Sequence, residues 1–147
     1  MLGRKSYTQH ELDNAKTAVS RQLAAYRRLV KALDGATSDA EVRSALEEFE
    51  PLLFNNQALV LDRYFVHRLR GVTGKDGNPV NEVELRSDSL MNNGGVPRGN
   101  NVIKLIPEES VLKLNLGDPI RLSATQFEQL AKAFFAEIET RFVESEG

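Results

Sequence analysis

Cysteine and tryptophan are both absent from this chain of 147 residues, and only two histidines are present. Without cysteine the protein can form no disulfide framework, no thiolate nucleophile and no cysteine-based metal site. A zinc site would need carboxylates brought together with His10 and His67 from separate segments. The composition therefore favours a reducing compartment, and we expect a cytoplasmic protein with no metal and no cofactor.

Long hydrophobic runs are also missing, because no segment approaches the roughly 20 apolar residues of a membrane-spanning helix. The amino-terminal residues MLGRKSYTQHEL lack the apolar centre of a signal peptide. Neither export nor membrane insertion is therefore expected. The net charge of −2 argues in addition against general binding of nucleic acid.

Charges of the two signs are unevenly distributed along the chain. Residues 1–33 carry seven Lys or Arg against two acids, whereas residues 34–50 carry one Arg against six acids. We expect the two blocks to form an antiparallel helix pair over residues 8–50, in which opposite charges set the orientation. The basic block on its own leaves DNA binding by the first helix as a third, weaker hypothesis.

Capping patterns and apolar spacing predict the helices of this pair. Thr8 to Glu11 is a capping box that opens a helix over about 8–34, and Ser38 to Glu41 repeats the pattern before a shorter acidic helix. The first helix carries an apolar seam made of Leu12, Val19, Leu23, Tyr26, Val30 and Leu33. Such a seam serves either an intramolecular helix pair or a dimer, and the first is commoner in a domain of this size.

Pro51 predicts the start of a third helix over about 51–71, because proline is tolerated in the first helical turn. One arc of this helix is apolar and is predicted to face the core: Phe54, Ala58, Leu61, Phe65, Leu69 and Val72. Arg63, His67 and Arg70 form a basic strip on the opposite side. The strip is either a solvated edge, a partner for the acidic helix, or part of an anion site.

The loop from Gly71 to Pro79 contains glycine, Asp76 and Asn78 in a pattern typical of tight turns. Asn78 before Pro79 predicts the N-cap of a fourth helix over 79–92. Lys75, beside this helix start, could hold a phosphate or a carboxylate, although the Walker pattern is absent. The alternative is a structured connection between two helices.

The segment from 93 to 122 begins with a Gly- and Asn-rich loop, which is either a lid or a surface excursion. Residues 102–105 and 119–122 are suited to a two-stranded β element, and residues 111–116 either add a third strand or pack as a loop.

A third capping box at residues 123–126 opens the final helix, over 123–143. Its aromatic stripe is assigned to the core in preference to a cofactor site. The residues of this stripe are Phe127, Leu130, Ala131, Phe134, Phe135, Ile138 and Phe142.

The strings YFVHRLRGVTGKDGNPVNEVELRSDSLMNNGG, IKLIPEESVLKLNLGD and ATQFEQLAKAFFAEIETRF resemble a family of uncharacterised bacterial proteins, found mainly in actinobacteria. The resemblance covers residues 51–143. It is most distinctive at Tyr64, Phe65, His67, Arg68, Arg70, Lys75, Asp76, Gly77, Asn78, Asn81 and Glu82. Because that family has no established activity, the resemblance implies neither a mechanism nor catalytic residues.

The predicted fold is a mostly α single domain over residues 1–147, with about five helices in a bundle and a small two- or three-stranded β element before the last helix. Its parts are the helix pair 8–50, central helices 51–92, a loop and β element 93–122, and a C-terminal helix 123–143.

The predicted function is a non-enzymatic protein-interaction or self-assembly module that binds through the long first helix and neighbouring apolar surface. The prediction rests on the sustained seam from Leu12 to Leu33 and on the absence of HExxH, GxSxG and GxGxxG. Its partner would be another protein or a second copy of the chain. The alternative is an enzyme or small-ligand binder for an anionic metabolite or nucleotide, with His67 as the one catalytic candidate. The candidate anion site consists of Arg63, His67, Arg70, Lys75, Asp76 and Asn78.

Overall fold

The computed structural model describes residues 3–99 and 102–143, and most of them are helical. This part of the chain contains five α-helices, which are α1 (Gln9–Ala36), α2 (Ala40–Tyr64), α3 (Arg70–Thr73), α4 (Pro79–Asn92) and α5 (Ala124–Phe142). A 3-10 turn covers Pro107–Glu109. The prediction of a mostly α protein with about five helices is confirmed.

Three helices begin at the predicted capping residues. The Thr8 hydroxyl accepts the N–H of Glu11, and the Glu11 carboxylate accepts the N–H of Thr8 in return. Ser123 and Gln126 make the same reciprocal pair at the start of α5. Asn78 caps α4 as predicted. These devices are local, since each one satisfies backbone groups within four residues of itself.

Two other predicted helix starts are wrong. The capping box at Ser38 does not form, because Asp39 is the N-cap and its Oδ1 accepts the N–H of Glu41 at 2.8 Å. Pro51 lies inside α2 and does not start a helix. Proline cannot donate to the carbonyl of Glu47, but Glu47 is exposed, so water can reach this group. The acidic helix and the predicted third helix are therefore one element of 25 residues.

α2 ends at Tyr64, seven residues before the predicted end at 71. His67 adopts a left-handed backbone conformation with φ of 66°, and its carbonyl accepts the N–H of Arg4 at 2.6 Å. The N–H of Leu69 donates to the Arg4 carbonyl at 3.1 Å. These two backbone groups would be needed for hydrogen bonds within α2 if the helix continued. Because the amino-terminal segment binds them, the helix ends.

The hydrophobic core is formed by residues of α1, α2, α4 and α5, and α1 packs mainly along α5. The whole aromatic stripe of α5 is buried in it, as predicted, and so are Phe54, Ala58, Leu61 and Phe65 of the predicted inner arc. Leu69 and Val72, the last two residues of that arc, lie beyond the end of α2 and are half-buried. Aromatic rings connect the elements: Phe54 of α2 lies 5.4 Å from Phe127 of α5, and Tyr7 lies 4.8 Å from Phe65, measured between ring centroids. The core therefore accounts for the stripe without a cofactor.

The apolar seam of α1, the predicted interaction surface, is covered by the chain itself, since Leu12, Val19, Leu23 and Tyr26 are buried. The basic side chains of α1 pair with α5, however, and not with the acidic helix. Lys16 Nζ lies 3.2 Å from Glu139 and Arg27 Nη1 lies 2.8 Å from Glu128. No ion pair joins α1 to α2 among the described residues. The opposite charges of the two blocks therefore did not set the packing.

The predicted β element is not seen in the described residues, where only isolated bridges occur. Asn55 of α2 takes the backbone groups that a strand over 119–122 would have used. Its Nδ2 donates to the carbonyl of Ile120 at 2.7 Å, and its Oδ1 accepts the N–H of Leu122 at 3.0 Å. A helix side chain thus replaces the partner strand.

The possible third strand, over 111–116, is also absent. The Glu82 carboxylate accepts the N–H groups of Val111 and Leu112 at 2.7 and 3.0 Å. Lys113 has a φ of 55°, which does not fit an extended strand. The segment is therefore a packed loop, the alternative that the alternating pattern left open.

Candidate interaction surface

The structure distributes the six residues of the predicted anion site over three places. Arg63 is exposed on the outward side of α2. His67 and Arg70 line a cavity of about 240 Å³. The remaining three line a larger groove of about 870 Å³: Lys75, Asp76 and Asn78. The basic strip is not continuous, because α2 ends before His67 and Arg70 belongs to α3.

The guanidinium groups at the smaller cavity already have carboxylate partners. Arg70 Nη1 donates to Asn81 Oδ1 at 2.8 Å, and its Nη2 pairs with Glu84. Arg68 Nη2 lies 2.7 Å from Asp62 Oδ1. An anion entering this cavity would have to compete with these acids for the two guanidinium groups.

The larger groove has charged side chains of both signs on its walls. These are Lys75, Lys104 and Arg141 on the positive side and Asp76, Glu109 and Glu137 on the negative side. Arg141 is already engaged, since its Nε lies 2.7 Å from Glu137 Oε2 and its Nη1 donates to the Val72 carbonyl at 3.2 Å. Formal charges in the groove therefore cancel, which reduces its attraction for an anion.

A buried acid and base on α4 have a structural role that the sequence reasoning missed. Glu82 is fully buried and Arg86 is 2% exposed. Arg86 Nη2 donates to the Leu114 carbonyl at 3.3 Å, while Glu82 holds the neighbouring N–H groups. Burial lowers the pKa of Arg86, and the nearby carboxylate opposes this shift. The pair fixes the loop on α4. The spacing of four residues between Glu82 and Arg86 can be seen in the sequence. Such acid–base pairs are more typical of exposed helix faces, so the spacing did not indicate a buried pair.

α2 has a second apolar face on the side opposite its core residues. We call it the outer strip, and it consists of Val42, Ala45, Phe49, Leu52, Asn56, Leu59 and Arg63. Steps of three and four residues separate its members throughout, which is the a and d spacing of a coiled coil over about three heptads. At roughly 100° per residue these positions point away from Phe54 and Leu61.

The outer strip lies outside the hydrophobic core cluster of the described residues. Phe49 is 45% exposed and Leu52 is 65% exposed. On one flank the strip is bordered by Leu46 and Leu53, which are half-buried. A helix that is apolar on two opposite sides is normally covered on both. In the described chain the inner side of α2 is buried, whereas the outer strip is half-buried at Val42 and Leu59 and exposed between them at Phe49 and Leu52.

Charge is asymmetric along the same helix. Between residues 39 and 50 there are five acids and one base: Asp39, Glu41, Glu47, Glu48 and Glu50 against Arg43. At the other end the outer strip closes with Arg63, an exposed cation with no acidic partner among the described residues. The face therefore combines an apolar seam with an acidic beginning and a basic end.

Comparison with known protein families, with curated proteins and with solved structures found no match for this chain. The resemblance to an actinobacterial family therefore stays a prediction. Within residues 3–99 and 102–143, no helix is both long and apolar enough to cross a bilayer. The same residues contain no group of three or more His, Asp or Glu placed to hold a metal ion.

The outer strip could have been found from sequence, because its spacing continues without interruption from Val42 to Arg63. Placing a helix boundary at Pro51 divided the pattern into two unrelated halves. The continuous spacing was missed because proline inside a helix is unusual, so that Pro51 predicts a helix start.

Proposed function

We propose that this protein is a non-enzymatic protein-interaction module and that the outer strip of α2 is its binding surface. The single observation that carries the proposal is the exposure of Phe49 and Leu52 in the middle of a regular a and d pattern. Contiguous apolar patches on a soluble protein mark interaction sites. A cytoplasmic location belongs to the same proposal.

The partner that fits this face is an amphipathic helix from another protein chain. Its apolar side would contact Phe49 and Leu52, as in complexes where a helix binds through anchors spaced three and four residues apart. Its charges would be basic where it meets the acidic beginning of α2 and acidic where it meets Arg63. Helix-to-helix recognition of this kind requires no catalytic group.

Site-specific photocrosslinking tests the proposal. A benzophenone amino acid replaces Leu52 in one variant and Thr125, an exposed residue of α5, in a control variant. We expect covalent adducts with a protein chain from position 52 and none from position 125. A further substitution, Phe49→Glu, should abolish the adducts, because it places a charge in the apolar seam.

Equal adducts from positions 52 and 125, or adducts that survive Phe49→Glu, would contradict the proposal. Circular dichroism of each variant verifies that the helices are intact. Because the outer strip contributes little to the core of the single chain, Phe49→Glu should leave the helix signal unchanged.

A second candidate function, binding of an anionic small molecule, has one observation in its favour. Lys75 and Lys104 both line the larger groove, and neither ammonium has a carboxylate partner among the described residues. A thermal-shift screen with phosphates, nucleotides and carboxylates tests this candidate. A bound anion should raise the melting temperature, and Lys75→Ala should remove the rise, whereas Arg63→Ala should not. If no anion shifts the melting temperature, the candidate fails.

A further inference from the structure

We infer that the partner of the outer strip is a second copy of this chain, bound antiparallel about a two-fold axis level with Glu50 and Pro51. The inference rests on the proposed function, since it uses the same surface. It adds the identity of the partner, its direction and its register, all of which follow from side-chain size and charge along α2.

Side-chain size fits this register. In antiparallel coiled coils an a residue of one helix meets a d residue of the other, so that Phe49 lies level with Leu52 of the second copy. Val42 then meets Leu59, and the small Ala45 meets Asn56. Leu46, which is half-buried, borders this central apolar contact, whereas Leu53 packs against the core of its own chain. The four large apolar members of the strip, Val42, Phe49, Leu52 and Leu59, thereby obtain apolar partners.

The charge pattern selects the antiparallel direction. In this register Arg63 lies within about one helical turn of Asp39 and Glu41 of the second copy, and the contact occurs twice. A parallel pair would instead place the acidic beginnings of the two α2 helices side by side and bring Arg63 next to itself. Like charges in register are unfavourable, whereas opposite charges across an interface give orientation and specificity.

A two-fold arrangement also limits the assembly to a closed dimer. Both copies use the same patch, so the contact is isologous and leaves no free copy of the surface for a third chain. The described residues of the core lie on the opposite side of α2, so each copy keeps its own core and the dimer forms from folded chains.

Disulfide trapping tests direction and register, and the absence of native cysteine makes every introduced thiol unique. Ala45→Cys and Asn56→Cys are both at exposed positions. When equal amounts are mixed and oxidised, the inference expects a disulfide between the two variants. Neither variant should crosslink with itself, because like positions are then offset by eleven residues, about 16 Å, whereas a disulfide needs Cα atoms within about 7 Å.

Self-crosslinking of Ala45→Cys and of Asn56→Cys would show a parallel pair and overturn the inference. A third variant, Thr125→Cys, lies off the strip and measures collision-driven crosslinking. To separate the products, one variant of each mixture carries an affinity tag.

A charge exchange tests the same register without thiols. Arg63→Glu should weaken the dimer, measured by sedimentation equilibrium, by about three- to tenfold in dissociation constant, since two partly exposed ion pairs are lost. Arg63→Glu combined with Glu41→Arg should recover most of this loss, whereas Arg63→Glu combined with Glu84→Arg should not. If the variant with both Arg63→Glu and Glu41→Arg has the same dissociation constant as Arg63→Glu alone, the assigned pairing is contradicted.

The failure of this inference can be told apart from the failure of the proposed function. If sedimentation and light scattering show only a monomer at tens of micromolar, the second copy is excluded. If the photocrosslinker at position 52 still captures a different protein in that case, the interaction surface stands with another partner. If it captures nothing, both proposals are overturned.

Discussion

The two faces of α2 carry similar side chains in opposite surroundings. On the inner face Phe54 is 1% exposed and Leu61 is fully buried, whereas on the outer strip Phe49 is 45% exposed and Leu52 is 65% exposed. Both faces have the residue types of a protein interior. The chain supplies α1, α4 and α5 to cover the first face, and among its described residues it supplies nothing comparable for the second.

This difference shows that apolar periodicity reports how many sides of a helix require a partner, but not where that partner comes from. The inner face finds its partners within the same chain, so its burial contributes to the stability of the monomer. The outer strip contributes to stability only when a second helix covers it. Paired substitutions on the two faces can therefore separate folding from association.

The largest contrast is expected between the two phenylalanines. Phe54→Ala should lower the free energy of unfolding by about 3–5 kcal/mol, because it removes a buried ring and leaves a cavity beside Phe127. Phe49→Ala should change the same quantity in dilute monomer by less than about 0.5 kcal/mol. Urea denaturation followed by circular dichroism measures both. A loss of several kcal/mol in dilute Phe49→Ala would show that its face belongs to the core.

A buried and a half-exposed side chain can also be compared on α4, where both are glutamates. Glu82→Gln should cost about 3 kcal/mol, because it leaves Arg86 as an unpaired buried charge and provides one acceptor for two backbone N–H groups. Glu84→Gln removes a half-exposed pair with Arg70 and should cost at most about 1 kcal/mol. Chemical denaturation at neutral pH gives both values, and similar losses would contradict the structural role of the buried pair.

Local features of this fold were predictable and distant ones were not. The caps at Thr8, Asn78 and Ser123 were found because each forms within a few residues of sequence. The absence of strands could not be predicted in this way, because the side chains that replace strand pairing are distant in sequence. Asn55 binds Ile120 across 65 residues, and Glu82 binds Val111 across 29. The basic strip from Arg63 to Arg70 is interrupted for a related reason, because the amino-terminal segment ends α2 before His67.

Two adjacent asparagines give a smaller contrast on α2 itself. Asn55 holds the loop after Gly117 through both atoms of its amide, whereas Asn56 lies on the outer strip and is exposed. Asn55→Ala should cost about 1–2 kcal/mol, since it leaves a carbonyl and an N–H without partners. Asn56→Ala should be close to neutral in the monomer. Hydrogen exchange adds a local measurement, in which the N–H of Leu122 should lose protection in Asn55→Ala only.

The smallest effect is expected at alkaline pH, at the ring that covers the inner face of α2. Tyr26 packs edge-on against Phe54, and its hydroxyl donates to Glu50 at 2.6 Å. Burial and this hydrogen bond to a carboxylate raise the pKa of Tyr26 well above its usual value near 10. The unfolded chain therefore releases this proton at a lower pH than the folded chain does.

Since the unfolded state binds fewer protons above about pH 10, stability should fall as the pH rises through that region. Below pH 9 the contribution of Tyr26 should be constant. Urea denaturation at pH 8, 9, 10 and 11 measures the slope, which Tyr26→Phe should reduce. It should not abolish the slope, because burial also raises the pKa of Tyr7. An unchanged slope in Tyr26→Phe would mean that its hydroxyl is free to ionise, and that α1 does not close over the inner face of α2.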